Sequence, residues 1–144
     1  IEIVRYYVQQ LLQTDHPNIV PADIGIIAPY AKQVLKVKQL LVSGDVVADG
    51  GKDPRGIMVG STEQFQGQEK RVIILTTVRA SKQYLDFDAK HSLGFLTNSK
   101  RFNVAVTRAK QLLIVVGHPG VLIDCPNWRA LLHYCRDRGA CRGV

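Results

Sequence analysis

Two arginines, Arg101 and Arg108, stand in the segment Asn98-Ser99-Lys100-Arg101-Phe102-Asn103-Val104-Ala105-Val106-Thr107-Arg108-Ala109-Lys110, which holds no acidic residue. At helical spacing Phe102, Val106 and Ala109 form an apolar stripe expected to face a sheet. Arg101, Ala105 and Arg108 form the neighbouring stripe, with Lys100 and Thr107 on the far side. Arginines held beside a buried face suit an external anion. A planar guanidinium forks onto phosphate or carboxylate oxygens as an ammonium does not. The competing expectation is ion pairing with acids elsewhere, Asp86 or Asp88.

A second segment, Val59-Gly60-Ser61-Thr62-Glu63-Gln64-Phe65-Gln66-Gly67-Gln68-Glu69, follows an apolar run. Its small and hydroxyl residues would let a phosphate approach the backbone. Gly67 permits a tight turn. Glu69 could accept hydrogen bonds from ribose hydroxyls, as acids do in dinucleotide folds. The plainer expectation is a polar loop in which Ser61 or Thr62 caps a short helix. A third segment is Ala28-Pro29-Tyr30-Ala31-Lys32-Gln33. Pro29 stops a strand, and the helix start after it offers free N–H groups that favour phosphate. Tyr30 could stack on a base and Gln33 could hydrogen-bond, although a tyrosine capping a strand is more often packing.

Other arrangements carry no chemistry. Gly50-Gly51-Lys52-Asp53 looks like the end of a phosphate loop, but Val46 stands where the earlier glycine belongs and Asp53 replaces the magnesium-binding hydroxyl. His16, His91, His118 and His133 form no ligand pair, and Cys125, Cys135 and Cys141 match no zinc spacing. No metal site is expected. An odd cysteine count without a dense framework fits free thiols in a reducing compartment.

These segments need elements to position them. Val4, Tyr7, Val8, Leu11 and Leu12 predict a helix over residues 1 to about 14. Ile24–Ala28 reads as a strand ended by Pro29, and residues 31–43 as a second helix. Gly44–Gly56 reads as an exposed loop. Ile57–Val59 is a strand candidate, and Val72–Leu75 and Leu112–Val116 are continuous apolar runs that suit strands covered on both faces. A helix is expected over 99–110, and Trp128, Leu131, Leu132 and Cys135 mark a last amphipathic helix. Alternating strands and helices predict an α/β fold with a mostly parallel sheet flanked by helices. Ligands sit at the carboxyl ends of such strands, which puts Pro29, Ser61, Arg79 and His118 on the functional rim.

The 144 residues suit one domain with a sizeable core, at 46% hydrophobic and 22% charged residues. No apolar stretch approaches bilayer-spanning length, and no membrane role is expected. The first residue is Ile1, so the chain reads as a fragment of a longer one. A net charge of +7 and a pI near 9.5 fit a polyanionic partner or a merely basic solvated surface about equally.

Taken in order, Ala28-Pro29-Tyr30-x-x-Gln33, Gly60-Ser61-x-Glu63-Gln64-Phe65-Gln66-Gly67-Gln68-Glu69 and Arg101–Ala109 resemble the later helicase motifs of superfamily 1. The Phe-Gln-Gly-x-Glu form is similar to the up-frameshift-like branch, superfamily 1B. Leu93–Asn98 and Val116-Gly117-His118-Pro119 resemble the RNA-silencing subgroup that includes Armitage. The resemblance spans roughly residues 20 to 140.

The resemblance implies that residues 1–144 are a single C-terminal RecA-like (P-loop NTPase-type) domain of an ATP-dependent 5′ to 3′ RNA helicase. Arg108 matches the arginine finger that reaches the γ-phosphate of ATP. Gly67 and Glu69 match the segment touching the nucleotide sugar, and Arg101 a basic position supporting the same cleft. Pro29, Tyr30, Gln33, Ser61, Thr62 and Arg79 match segments along the nucleic-acid path. ATP with Mg2+ would be held mainly by the first RecA-like domain, since no phosphate loop occurs here. The fragment alone is therefore expected to hydrolyse no ATP. Expected partners are single-stranded RNA, the first RecA-like domain of the same protein, and RNA-silencing or RNA-decay factors, in the cytoplasm. The alternative is a non-catalytic RNA-binding scaffold domain of a degenerate helicase. An unrelated α/β enzyme would show a nucleophile or metal cluster at the strand ends, and the sequence holds none.

Overall fold

The computed structural model describes residues 1–13, 19–43, 48–49, 56–77 and 97–143. Five strands form one sheet: β1 (Ile24–Ile27), β2 (Ala48–Asp49), β3 (Ile57–Gly60), β4 (Lys70–Thr76) and β5 (Ala109–Val116). Their spatial order is β2-β3-β1-β4-β5, and all four pairings are parallel. The helices are α1 (Glu2–Gln13), α2 (Ala31–Ser43), α3 (Ser99–Thr107), α4 (Pro119–Leu122) and α5 (Pro126–Asp137), with a 3-10 turn at Pro21–Asp23.

The apolar runs of β1 and β4 become strands because both sides of the sheet are covered there, whereas the run of β5, at the sheet's edge, is only half-buried and exposes Leu112. Alternate residues of a strand point to opposite faces, so each run feeds two cores. Ile24, Ile26, Val72 and Ile74 pack with Val4 and Val8 of α1 and with Val34, Val37 and Leu41 of α2. Ile27, Ile73 and Leu75 pack with Ala105 of α3, Val121 and Leu122 of α4, and Trp128 of α5. The α/β expectation with a parallel sheet flanked by helices holds.

Three expectations change. The helix over 99–110 ends at Thr107, because Ala109 pairs with Lys70 and the Arg108 carbonyl accepts from the Lys70 N–H at 3.1 Å. Pairing β5 with β4 outcompetes another turn of helix. Ala48–Asp49, expected within an exposed loop, forms the edge strand against Ile57 and Met58. On α3 the fully buried residue is Ala105, while Phe102 is half-buried and stacks edge-on against Trp128 at 4.9 Å. The buried line of α3 is therefore the one that carries the arginines, not the one beside it.

Candidate functional site

Because every strand runs the same way, the segments after β1, β3, β4 and β5 gather at one edge of the sheet. Pro29 and Tyr30 follow β1, and Ser61 and Thr62 follow β3. The Ala28 N–H donates to the Gly60 carbonyl at 3.0 Å, which ties those two strand ends together. Gln33, from the first turn of α2, is buried at this edge, and its amide donates to the Thr76 hydroxyl at 3.2 Å. Its carbonyl oxygen is buried without a hydrogen-bond partner among the described residues. Thr62 is also buried. Neither side chain lies on open surface. Arg79 lies outside the described residues, as do Asp86 and Asp88.

The expected short helix does not form, since residues 62–67 make turns, but Ser61 still braces the first of them. Its N–H donates to Gln64 Oε1 at 2.9 Å, and its hydroxyl accepts from the Gln64 N–H at 3.4 Å. This reciprocal pair satisfies both ends of the first turn. His118 is a cap: its Nδ1 accepts from the Gly120 N–H at 3.1 Å at the start of α4.

From Ser61 the chain crosses to the opposite edge of the sheet. Phe65 anchors this crossing, fully buried in the second core. It fits because Gly25 has no side chain: a Cβ there would lie 2.7 Å from the Phe65 ring and 2.8 Å from Ile73. Gly67 has φ of 73°, which a side chain would strain, and it lets the crossing turn toward Glu69. Gly67 and Glu69 are exposed.

Helix α3 spans the same two edges. Asn98 caps its start, accepting from the N–H groups of Lys100 and Arg101 at 3.0 and 3.1 Å. Arg101 lies in this first turn, and its Nε donates to Glu63 Oε1 at 2.8 Å. The acid partner missing from the helix is thus supplied by the crossing segment, which the sequence did not disclose. The Thr62 hydroxyl donates to the other Glu63 oxygen at 3.1 Å. Burial pushes the Glu63 carboxyl up, but its own N–H, the Thr62 hydroxyl and the Arg101 guanidinium outweigh this and leave it below its ordinary value.

Arg108 stands at the other end of α3, as its C-cap. Lys70 pairs with Ala109, so Glu69 and Arg108, which precede them, are brought side by side at the amino edge. Arg108 Nη2 donates to the Thr107 hydroxyl at 3.1 Å, and that hydroxyl donates to the Asn103 carbonyl at 2.7 Å. Arg108 Nε is buried and has no hydrogen-bond partner among the described residues. A buried charged donor left unpaired is costly, which sets Arg108 apart from Arg101, whose Nε is paired. A cavity of about 430 Å³ opens along β5 between Leu113, Leu122, Trp128, Leu131 and Cys135, and none of the candidate residues lines it. Among the described residues no three His, Cys, Asp or Glu side chains group to hold a metal ion. No described helix is long and apolar enough to cross a membrane.

A parallel sheet flanked by helices, with polar segments at its carboxyl edge and an arginine-bearing helix running to its amino edge, is consistent with a RecA-like fold. The chain belongs to the family described as AAA domain, which matches residues 1–120. This is consistent with the second domain of an up-frameshift-like superfamily 1 helicase, and the relatives that the chain matches are named as helicases. It is similar to the protein named helicase MOV-10 of Gallus gallus, 52% identical over 99% of this chain and 15% of that protein. It is similar to the RNA helicase armi of Drosophila melanogaster, 42% identical over 85% of this chain and 10% of that protein. It is also similar to the ATP-dependent helicase upf1 of Schizosaccharomyces pombe, 36% identical over 85% of this chain and 12% of that protein. The chain thus spans about 10 to 15% of the length of these relatives.

Proposed function

We propose that this chain is the second motor domain of an ATP-driven 5′ to 3′ RNA helicase of the cytoplasm, and that Arg108 completes an ATPase site built mainly by the first RecA-like domain. The orphaned, buried Nε of Arg108 beside Glu69 carries this reading. Phosphoryl transfer needs positive charge fixed near the developing oxyanions, and an arginine supplied across a cleft meets that need only when the cleft closes. Exposed Glu69 and Gly67 suit the nucleotide sugar. Single-stranded RNA would then run along the carboxyl edge, over Pro29, Tyr30 and Ser61, with buried Thr62 and Gln33 shaping that edge from beneath; the resemblance adds Arg79 to these contacts. Magnesium-bound phosphates would rest on the first domain.

The test is Arg108→Ala in the full-length protein. RNA-stimulated kcat is expected to fall about a thousandfold or more, the usual cost of losing an arginine finger. The KM for ATP should change little. Hydrolysis at near wild-type rate would overturn the assignment. The fragment alone is expected to show no ATPase above buffer, and turnover by it would count equally against the reading.

A further inference from the structure

The crossing segment and α3 are fastened to each other at both ends. At the carboxyl edge the fastening is the Glu63–Arg101 ion pair at 2.8 Å. At the amino edge it is the Lys70 N–H on the Arg108 carbonyl at 3.1 Å. Both stretches therefore link the same two edges of the sheet, one as a run of turns and the other as a helix. Between the fastenings, Phe65 of one and Ala105 of the other are fully buried in the same core. The upper fastening reaches one step further: the Thr62 hydroxyl holds the second Glu63 oxygen at 3.1 Å.

We propose that Glu63 is a positioning residue that transmits engagement of RNA at the carboxyl edge to Arg108, by locking the Ser61–Thr62 turn to the first turn of α3. This inference rests on the reading of Arg108 and the carboxyl edge given above. Helix α3 is stiff and about 13 Å long at 1.5 Å per residue, so a shift imposed on its Arg101 end arrives at its Arg108 end. A lone surface ion pair would add little to stability. This one joins two elements whose far ends meet at the nucleotide residues, and there a small displacement decides whether the guanidinium reaches a phosphate oxygen.

The experiment measures steady-state ATPase of the full-length protein with and without a single-stranded uridine homopolymer, for wild type, Glu63→Gln, Glu63→Asp and Arg108→Ala, with RNA affinity and melting temperature recorded for each. For Glu63→Gln the rate without RNA and the KM for ATP should stay within about twofold. The stimulation by RNA should fall about tenfold, within the usual range of coupling between sites. RNA affinity should change by less than about threefold, and Glu63→Asp, which keeps the carboxylate, should recover at least half of the stimulation. Stimulation within about twofold of wild type in Glu63→Gln would overturn the inference, as would equal loss with and without RNA. If Arg108→Ala itself keeps its RNA-stimulated rate, the reading of the site fails rather than the role of Glu63.

Discussion

The two faces of the sheet are built from the same strands yet serve different ends. Val4, Val8, Val34, Val37 and Leu41 from α1 and α2 close the first face as an apolar layer. The second face buries Phe65, Ala105 and Trp128, but it also carries the Glu63–Arg101 pair and the orphaned Arg108 Nε. Its apolar residues act as bearings for charged ones. Phe65 holds the crossing segment, and Trp128 supports Phe102 on α3. The difference teaches that packing on the first face holds the layers together, whereas packing on the second also fixes where charge points.

That contrast predicts distinct consequences. Trp128→Ala should have the largest effect on stability, about 3–5 kcal/mol lost in urea unfolding, as for large aromatics removed from cores. In the full-length protein it should also lower RNA-stimulated kcat, since α3 loses its support. Leu41→Ala on the first face should cost about 2–4 kcal/mol and leave the kcat of the folded fraction unchanged. Equal loss of kcat in both variants would erase the distinction between the faces. Gly25→Ala should cost about 1–3 kcal/mol, because the added methyl meets Phe65 and Ile73 below contact distance. A neutral outcome in denaturant melts would mean that Phe65 does not anchor the crossing.

The smallest effect is electrostatic. The Glu63 carboxyl is lowered from its ordinary value of 4.5. A depressed folded value means that its contribution to stability is present above that ordinary value and is lost as pH falls through the folded one. With side chains 36% and 54% exposed, the Arg101–Glu63 pair should contribute at most about 1 kcal/mol. Wild type and Glu63→Gln should thus differ slightly and constantly from pH 6 to 8, and converge only as pH falls through the folded value, below 4.5. A gap between them that widens on acidification would contradict the pairing.

Much of this was legible in the residues. The apolar run Val72–Leu75 announced a covered parallel strand, and the order of the three polar segments announced the helicase motifs. Leu112–Val116 also pairs in parallel, but as the edge strand it is only half-buried and Leu112 is exposed, so the expected cover on both faces is not met there. Side-chain partners were not. Arg101 looked acid-free because its partner lies on another element, and periodicity within one helix is blind to that. The end of α3 was missed because strand pairing with Lys70 overrides the helical preference of Arg108 to Lys110. Gln33 looked available on a helix start, but α2 packs it against Thr76. The role of Gly25 shows only once Phe65 is seen lying over it.

The central claim is that Arg108 acts on the transferring phosphoryl group and not on the bound nucleotide in general. The most direct measurement is the affinity of the full-length protein, with RNA, for ADP–aluminium fluoride and for ADP, in wild type and in Arg108→Ala. A finger stabilises the transition state selectively. The account therefore predicts that Arg108→Ala weakens binding of the fluoride complex by about a hundredfold or more, while ADP affinity changes by less than about threefold. Equal weakening of both, or of neither, would contradict it.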